Sequence, residues 1–88
     1  RDKALVKKTQ IADGCTINGI VENSILFRNV KVAEGAIIKN CIIMEDGVIM
    51  DGSQLSYVIT DKKVSVKENR ELKGFSTYPI VVVKNKTV

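Results

Sequence analysis

The chain has 88 residues, 14 basic and 10 acidic, and its formal charge of +4 is spread from Arg1 to Lys86. No apolar run approaches the ~20 residues needed to cross a bilayer. With two Phe, two Tyr and no Trp there is little to stack on bases, so composition excludes a membrane anchor and argues against a nucleic-acid partner.

In chain order, residues 1–10 read as a linker or an incomplete first coil. Arg1 stands where an initiator Met would be, and no secretory segment opens the chain, so we expect a piece of a longer polypeptide in the cytoplasm. Cys15 and Cys41 lack the spacing of a zinc or redox pair. They are expected to be reduced thiols, a single Cys15–Cys41 bridge being the alternative.

Residues 11–74 carry a period of six. Ile20, Leu26, Val32, Ile38, Met44 and Met50 form an unbroken apolar series at that step. The pairs Glu22-Asn23, Arg28-Asn29, Glu34-Gly35, Asn40-Cys41, Asp46-Gly47 and Gly52-Ser53 each hold Gly or Asn, the residues that enter left-handed backbone angles most cheaply. A corner every six residues is too close for hairpins of a sandwich. Strand, corner, strand, corner, three to a coil, winds the chain into a triangular prism of parallel strands with ~18 residues per coil and roughly four to five coils. Each coil buries its apolar residues only against a neighbour, so stability is quasi-one-dimensional.

The step from Ile17 to Ile20 is short and marks a loop or change of register; a second break is expected near Thr60–Ser65. Residues 75–88 read as a capping strand segment, with Pro79 at its start where a missing N–H is harmless.

Period-two alternation within strands such as Ile42-Ile43-Met44 places the middle residue outward. Ile25, Ile37, Ile43, Ile49 and Leu55 then line an apolar outer column that should meet another domain or subunit. A register shifted by one would put this column inside; since both adjacent columns are apolar, some apolar surface faces outward either way.

Chemistry-bearing constellations are sparse. The sequence has no His, the residue on which acyl transfer or a zinc site in such repeats would lean. No phosphate loop of the P-loop type occurs, and Asp46 falls in a corner pair, Asp51 beside one and Asp61 in the expected break, as solvated turn residues do. We expect no catalytic residues, no metal site and no cofactor in these 88 residues. Lys62 and Lys63, with Lys67 and Arg70 nearby, form either a solvated basic edge or a site for a phosphate-bearing effector.

Residues Asn23 to Met44, together with Ile11–Cys15, Tyr57–Lys62 and the tail from Tyr78, resemble the C-terminal domain of glucose-1-phosphate adenylyltransferases, closest to the companion subunits of bacterial glycogen biosynthesis. The resemblance implies an all-β, single-stranded left-handed parallel β-helix, a hand that runs against the usual crossover rule. It also implies a missing N-terminal nucleotidyltransferase domain, where ATP and Mg²⁺ would act on glucose 1-phosphate to give ADP-glucose and pyrophosphate. Further expectations are a homo- or hetero-oligomer with the catalytic subunit, and effector-binding lysines at Lys62 and Lys84. Ala33, Met50 and Arg28-Asn29 depart from the family's usual pattern. The competing readings are a stand-alone hexapeptide-repeat acyltransferase, which the missing His disfavours, and a β-helix adaptor unrelated to sugar nucleotides.

Overall fold

The computed structural model describes residues 5–88; residues 1–4 of the expected linker or incomplete first coil lie outside the described residues. Fourteen short strands follow one another, with no helix among the described residues. The first coil carries β1 (Leu5–Lys7), β2 (Gln10–Ile11) and β3 (Thr16–Ile17), and the second carries β4 (Ile20–Glu22), β5 (Ile25–Leu26) and β6 (Lys31–Val32). The third holds β7 (Ile37–Lys39), β8 (Ile42–Ile43) and β9 (Val48–Ile49), and the fourth holds β10 (Gln54–Ser56), β11 (Val58–Thr60) and β12 (Ser65–Val66). β13 (Glu71–Lys73) and β14 (Ile80–Val82) begin a fifth.

Every third strand pairs in parallel. The first face is β1-β4-β7-β10-β13, the second β14-β11-β8-β5-β2 and the third β12-β9-β6-β3. Residues 5–10 thus already stack on the second coil, Leu5 opposite Ile20 and Gln10 opposite Ile25. The molecule is a left-handed β-helix of about four turns, the architecture of hexapeptide repeats.

The register refines the period. Cα partners lie 17 residues apart: Val21 opposite Ile38, Ile38 opposite Leu55, Leu55 opposite Leu72. A coil therefore has two six-residue sides and one of five, not three sixes. The short side turns between the first and second faces through a single left-handed residue, Asn23 (φ 51°), Asn40 (φ 55°) or Tyr57 (φ 55°). One residue suffices there because a left-handed residue reverses the strand direction sharply, and Asn accepts it by bonding locally. Asn23 Nδ2 donates to Asn40 Oδ1 at 2.6 Å, tying consecutive corners.

This missing residue overturns the strict column of sixes. Beyond Ile38 the inward series continues as Ile43, Ile49 and Leu55, which are fully buried, and not as Met44 and Met50, which lie half-exposed. The expected outward placement of Ile43, Ile49 and Leu55 is corrected: they pack with Val21, Leu26, Val32 and Ile38 in the core. Ile25 and Ile37 do face outward. The same slip explains why a break seemed to fall at Thr60–Ser65. Thr60 to Val66 is a regular six-residue side, with β12 paired to β9.

Two real irregularities lie elsewhere. Val6 is opposite Val21 and Ile17 opposite Val32, so the first coil has 15 residues, two fewer at its third corner. Gly19 sits there, where a Cβ would meet the carbonyl oxygens of Ala36 and Ala33 at 2.5 and 2.7 Å. The other is an insertion. Gly74 donates to the Ser56 carbonyl and Ile80 to the Tyr57 carbonyl, closing a corner between which residues 75–79 loop out. Beyond it the register resumes, Val58 opposite Ile80 and Thr60 opposite Val82.

Beneath each inward branched residue, two positions earlier, a small residue fills the narrow angle of the prism: Ser24, Val30, Ala36, Cys41, Ser53, Val58 and Val64 are all buried. Ser24 and Ser53 satisfy their hydroxyls against the Glu22 and Lys67 carbonyls. Thr60 is the exception: its Oγ1 is buried without a partner.

Candidate functional site

The second corner, between the second and third faces, stacks charged residues. Asn29, Asp46, Lys63 and Asn85 hold left-handed φ angles of 59°, 62°, 57° and 63°. Their amides donate to the carbonyls of Asp13, Arg28, Glu45 and Lys62 respectively, at 2.9–3.1 Å. Asp13, Arg28, Glu45, Lys62 and Lys84 thereby form a column, alternating in sign until Lys62 and ending in two positives.

Lys62 and Lys84 are thus brought together, one coil apart, with backbones separated by a strand spacing of ~4.8 Å. Both side chains are exposed. Lys63 and Lys86 join them: both are exposed, and the Lys86 carbonyl accepts from the Ser65 amide at 2.9 Å. Asp61 sits at the same level, where its Oδ1 accepts the Lys62 amide at 2.7 Å, fixing the bend that aims this corner outward. Spacing at six did not reveal Lys63 and Lys86 as partners of Lys84, because the insertion at 75–79 hides the stacking of residue 63 on residue 85.

Chemically, four ammoniums on one corner attract a small polyanion, with strength that falls as salt rises. Asp61 and, one coil below Lys62, Glu45 place carboxylates beside them and partly offset that attraction. Cys41 sits inside the prism, its Sγ donating to the Lys39 carbonyl at 3.1 Å. Burial pushes its pKa above the ordinary thiol value, outweighing backbone hydrogen bonds that act the other way, so it stays a thiol. Cys15 and Cys41 are both free. Among the described residues, no group of three or more His, Cys, Asp or Glu side chains is placed to hold a metal ion. No helix among them is long and apolar enough to cross a membrane.

Exposed apolar side chains concentrate on one face. Outward along the second face run Gln10, Ile25, Ile42, Ile59 and Val81, register partners in consecutive coils. Two positions on along the same strands come Phe27, Met44, Asp61 and Val83, so a carboxylate interrupts this second column; Phe27 and Val83 are well exposed. The equivalent outward column of the third face reads Thr16, Lys31, Val48, Ser65. On the first face, Leu5, Ile20 and Ile37 give way to Gln54 and Glu71, beside a polar column of Lys7, Glu22, Lys39, Ser56 and Lys73. The spacing of 17 between Asn23, Asn40 and Tyr57 was the signal that would have found the second-face column in sequence.

Parallel short strands in three stacked faces, with left-handed corners and inward branched residues, define a hexapeptide-repeat protein. Comparison narrows this: the GlmU-like C-terminal hexapeptide family matches residues 1–74, and the chain belongs to it. It is similar to a glucose-1-phosphate adenylyltransferase of Acetivibrio thermocellus, 45 % identical over 64 residues, covering 73 % of this chain and 15 % of that protein. It is also similar to the glycogen biosynthesis protein GlgD of Bacillus subtilis, 43 % identical over 79 residues, 90 % of this chain and 23 % of the relative. A GlgD of Geobacillus stearothermophilus is 58 % identical over 33 residues, 38 % of this chain and 10 % of the relative. The chain therefore spans under a quarter of the length of these relatives.

Proposed function

We propose that this chain is the C-terminal β-helix of a cytoplasmic glucose-1-phosphate adenylyltransferase subunit, catalytic or of the companion type, and that it regulates and assembles that enzyme without chemistry of its own. The adenylyl transfer from ATP to glucose 1-phosphate, with Mg²⁺, would belong to an N-terminal domain such as the longer relatives have room for. The relatives' names support the enzyme. The observation that carries the regulatory part is the stacking of Lys62 and Lys84 on one corner, with Lys63 and Lys86 beside them.

A corner of this kind suits a phosphate-bearing effector. Two ammoniums one strand apart reach a single phosphate group from two sides, and Lys63 and Lys86 supply charge for a second. Exposed ammoniums are hydrated and flexible, so each contributes a modest, salt-screened attraction. Binding would be selective by charge number more than by shape.

The test compares the full-length subunit, with its catalytic partner where it has one, against a Lys62→Ala/Lys84→Ala variant. A panel of sugar phosphates and inorganic phosphate serves as effector probes. We expect basal pyrophosphorylase rates within about twofold and effector response weakened by about two- to thirtyfold, the loss of two charge contacts at ~0.2–1 kcal/mol each. An unchanged effector response overturns the regulatory assignment, and absence of any adenylyltransferase activity in the assembled enzyme overturns the reading as a whole.

A further inference from the structure

We propose that the corner between the first and second faces, with the hairpin at 75–78 that rises from it, binds a neutral carbohydrate: a short chain of pyranose rings that stacks on Phe75 and Tyr78 and hydrogen-bonds to the side chains stacked below them. The site is separate from the lysine corner and does not rest on the reading given to that corner.

The hairpin supplies the rings. Residues 75–79 are an insertion that the coil does not need, since on either side of it the Gly74 amide reaches the Ser56 carbonyl and the Ile80 amide the Tyr57 carbonyl, at 2.8 and 3.0 Å. Gly74 permits that closure: a Cβ there would lie 2.5 Å from the Tyr57 carbonyl oxygen. Within the insertion Phe75 and Tyr78 form an antiparallel pair that exchanges both backbone hydrogen bonds, at 3.2 and 2.9 Å. Directly opposed residues of such a pair send their side chains to the same side, with Cβ atoms ~5 Å apart. The rings are thus held together on one side of a short ribbon, yet remain 67 and 82 % exposed. Ser76 and Thr77 add exposed hydroxyls at its tip.

Below the hairpin, the same corner stacks Tyr57, Asn40, Asn23 and Lys8, all with left-handed φ. Successive coils place them ~4.8 Å apart. Asn23 Nδ2 donates to Asn40 Oδ1 at 2.6 Å, which aligns the two carboxamides along the column. A carboxamide has two donor hydrogens and two acceptor lone pairs, so the pair keeps capacity for a ligand at Asn40 Nδ2 and Asn23 Oδ1.

Charge, size and chemistry select that ligand. Lys39 stands opposite Glu22 in register, and Glu71 lies two residues before Lys73 on the same outward side of β13. Lys7 and Lys8 lie at the far end of the column, so the hairpin end has no excess charge for a phosphate, unlike the corner at Lys62 and Lys84. Two rings and a column of single side chains fall far below the ~800 Å² per partner of a stable protein interface, and suit a small ligand. A pyranose has an apolar face of C–H bonds and a rim of hydroxyls. The face rests on an aromatic ring while the rim stays wet, and each hydroxyl, donor and acceptor at once, matches carboxamides and hydroxyls. An open platform buries little area, so a Kd in the millimolar range is expected.

The test titrates maltoheptaose and cellohexaose, neutral oligosaccharides of different linkage, with the full-length protein, followed by NMR of the ligand. It is repeated with Phe75→Ala/Tyr78→Ala, which should keep the circular dichroism of the unaltered protein because the hairpin lies outside the coil. We expect millimolar binding of at least one oligosaccharide, weakened at least tenfold in the double variant. Binding should hold from about 0.1 to about 1 M salt, over which the Debye length falls from ~10 to ~3 Å. Phe75→Trp, which keeps a ring, should bind within about twofold of the unaltered protein. Lys62→Ala/Lys84→Ala should also bind normally, so this site and the effector site fail separately. No binding of either oligosaccharide at about 10 mM, or equal binding by the double alanine variant, overturns the proposal. Salt-sensitive binding of oligothymidylate in place of the oligosaccharides would make the rings a platform for bases and overturn it too. So would protection of Tyr78 from hydroxyl radicals in the ligand-free protein, which would show another part of the polypeptide lying on it.

Discussion

Single positions show how tightly the angles of the prism are filled. Gly19 is required by space: a Cβ there would lie 2.5 Å from the Ala36 carbonyl oxygen, and backbone cannot give way cheaply. Gly19→Ala should destabilise the chain by about 1–3 kcal/mol, the cost of overpacking, read as a lower urea midpoint; an unchanged midpoint would contradict the shortened third corner of the first coil. Thr60 poses the opposite case. Its hydroxyl is buried without a partner in an inward column otherwise occupied by Leu26, Ile43 and Val82. Thr60→Val keeps the shape and removes an unpaid desolvation, so it should raise stability by about 1 kcal/mol with the urea m-value unchanged.

Among the elements, the corners decide register. Because the loop at 75–79 leaves both flanking strands in place, its deletion should change unfolding free energy by less than about 1 kcal/mol, since loop entropy varies slowly with length. Deleting five residues within a coil, from Glu45 to Ile49, removes β9 from the third face and should abolish the cooperative transition in circular dichroism. Strand direction, corner chemistry and number of coils were legible from the recurrence of Asn, Gly and Asp near every sixth residue. The burial phase was legible only from Leu26 to Ile38. The one-residue corners at Asn23 and Asn40 shorten the second and third coils, leaving Ile20 and Met44 outside, and the neighbours Ile20 and Val21, like Ile42 and Ile43, are both apolar, so alternation alone gave no sign of the slip. Tyr57 hid the next corner, since a bulky residue rarely takes a left-handed φ. Lys62 and Lys84 were legible as candidates through resemblance. Their adjacency, 22 residues apart, depends on an insertion that no period reveals.

At the scale of the molecule, the prism measures 32 × 23 × 22 Å and divides its surface by chemistry. One corner gathers lysines, one face is polar, and one is apolar with an aromatic turn at its border. Among the described residues no coil lies on the N-terminal end, so Val6 and Ile11, at inward positions, are 41 and 42 % exposed. Repeat stacks lose stability at uncovered ends, so amide exchange should be fastest in β1 to β3 and slowest in β7 to β11, where both neighbours are present. Uniform protection across all coils would contradict nearest-neighbour stacking.

All of these assignments depend on coils of 17 residues, because that register puts Ile43, Ile49 and Leu55 inside and gathers Ile25, Ile42 and Ile59 outside. A nuclear Overhauser spectrum of the isotopically labelled chain measures it directly. The expected pattern is interstrand contacts between residues 17 apart, Ile37 with Gln54 and Gln54 with Glu71 among them, giving way to 15 in the first coil, as between Val6 and Val21. Contacts at a uniform 18, or the close Hα–Hα pairs of antiparallel strands, would contradict it.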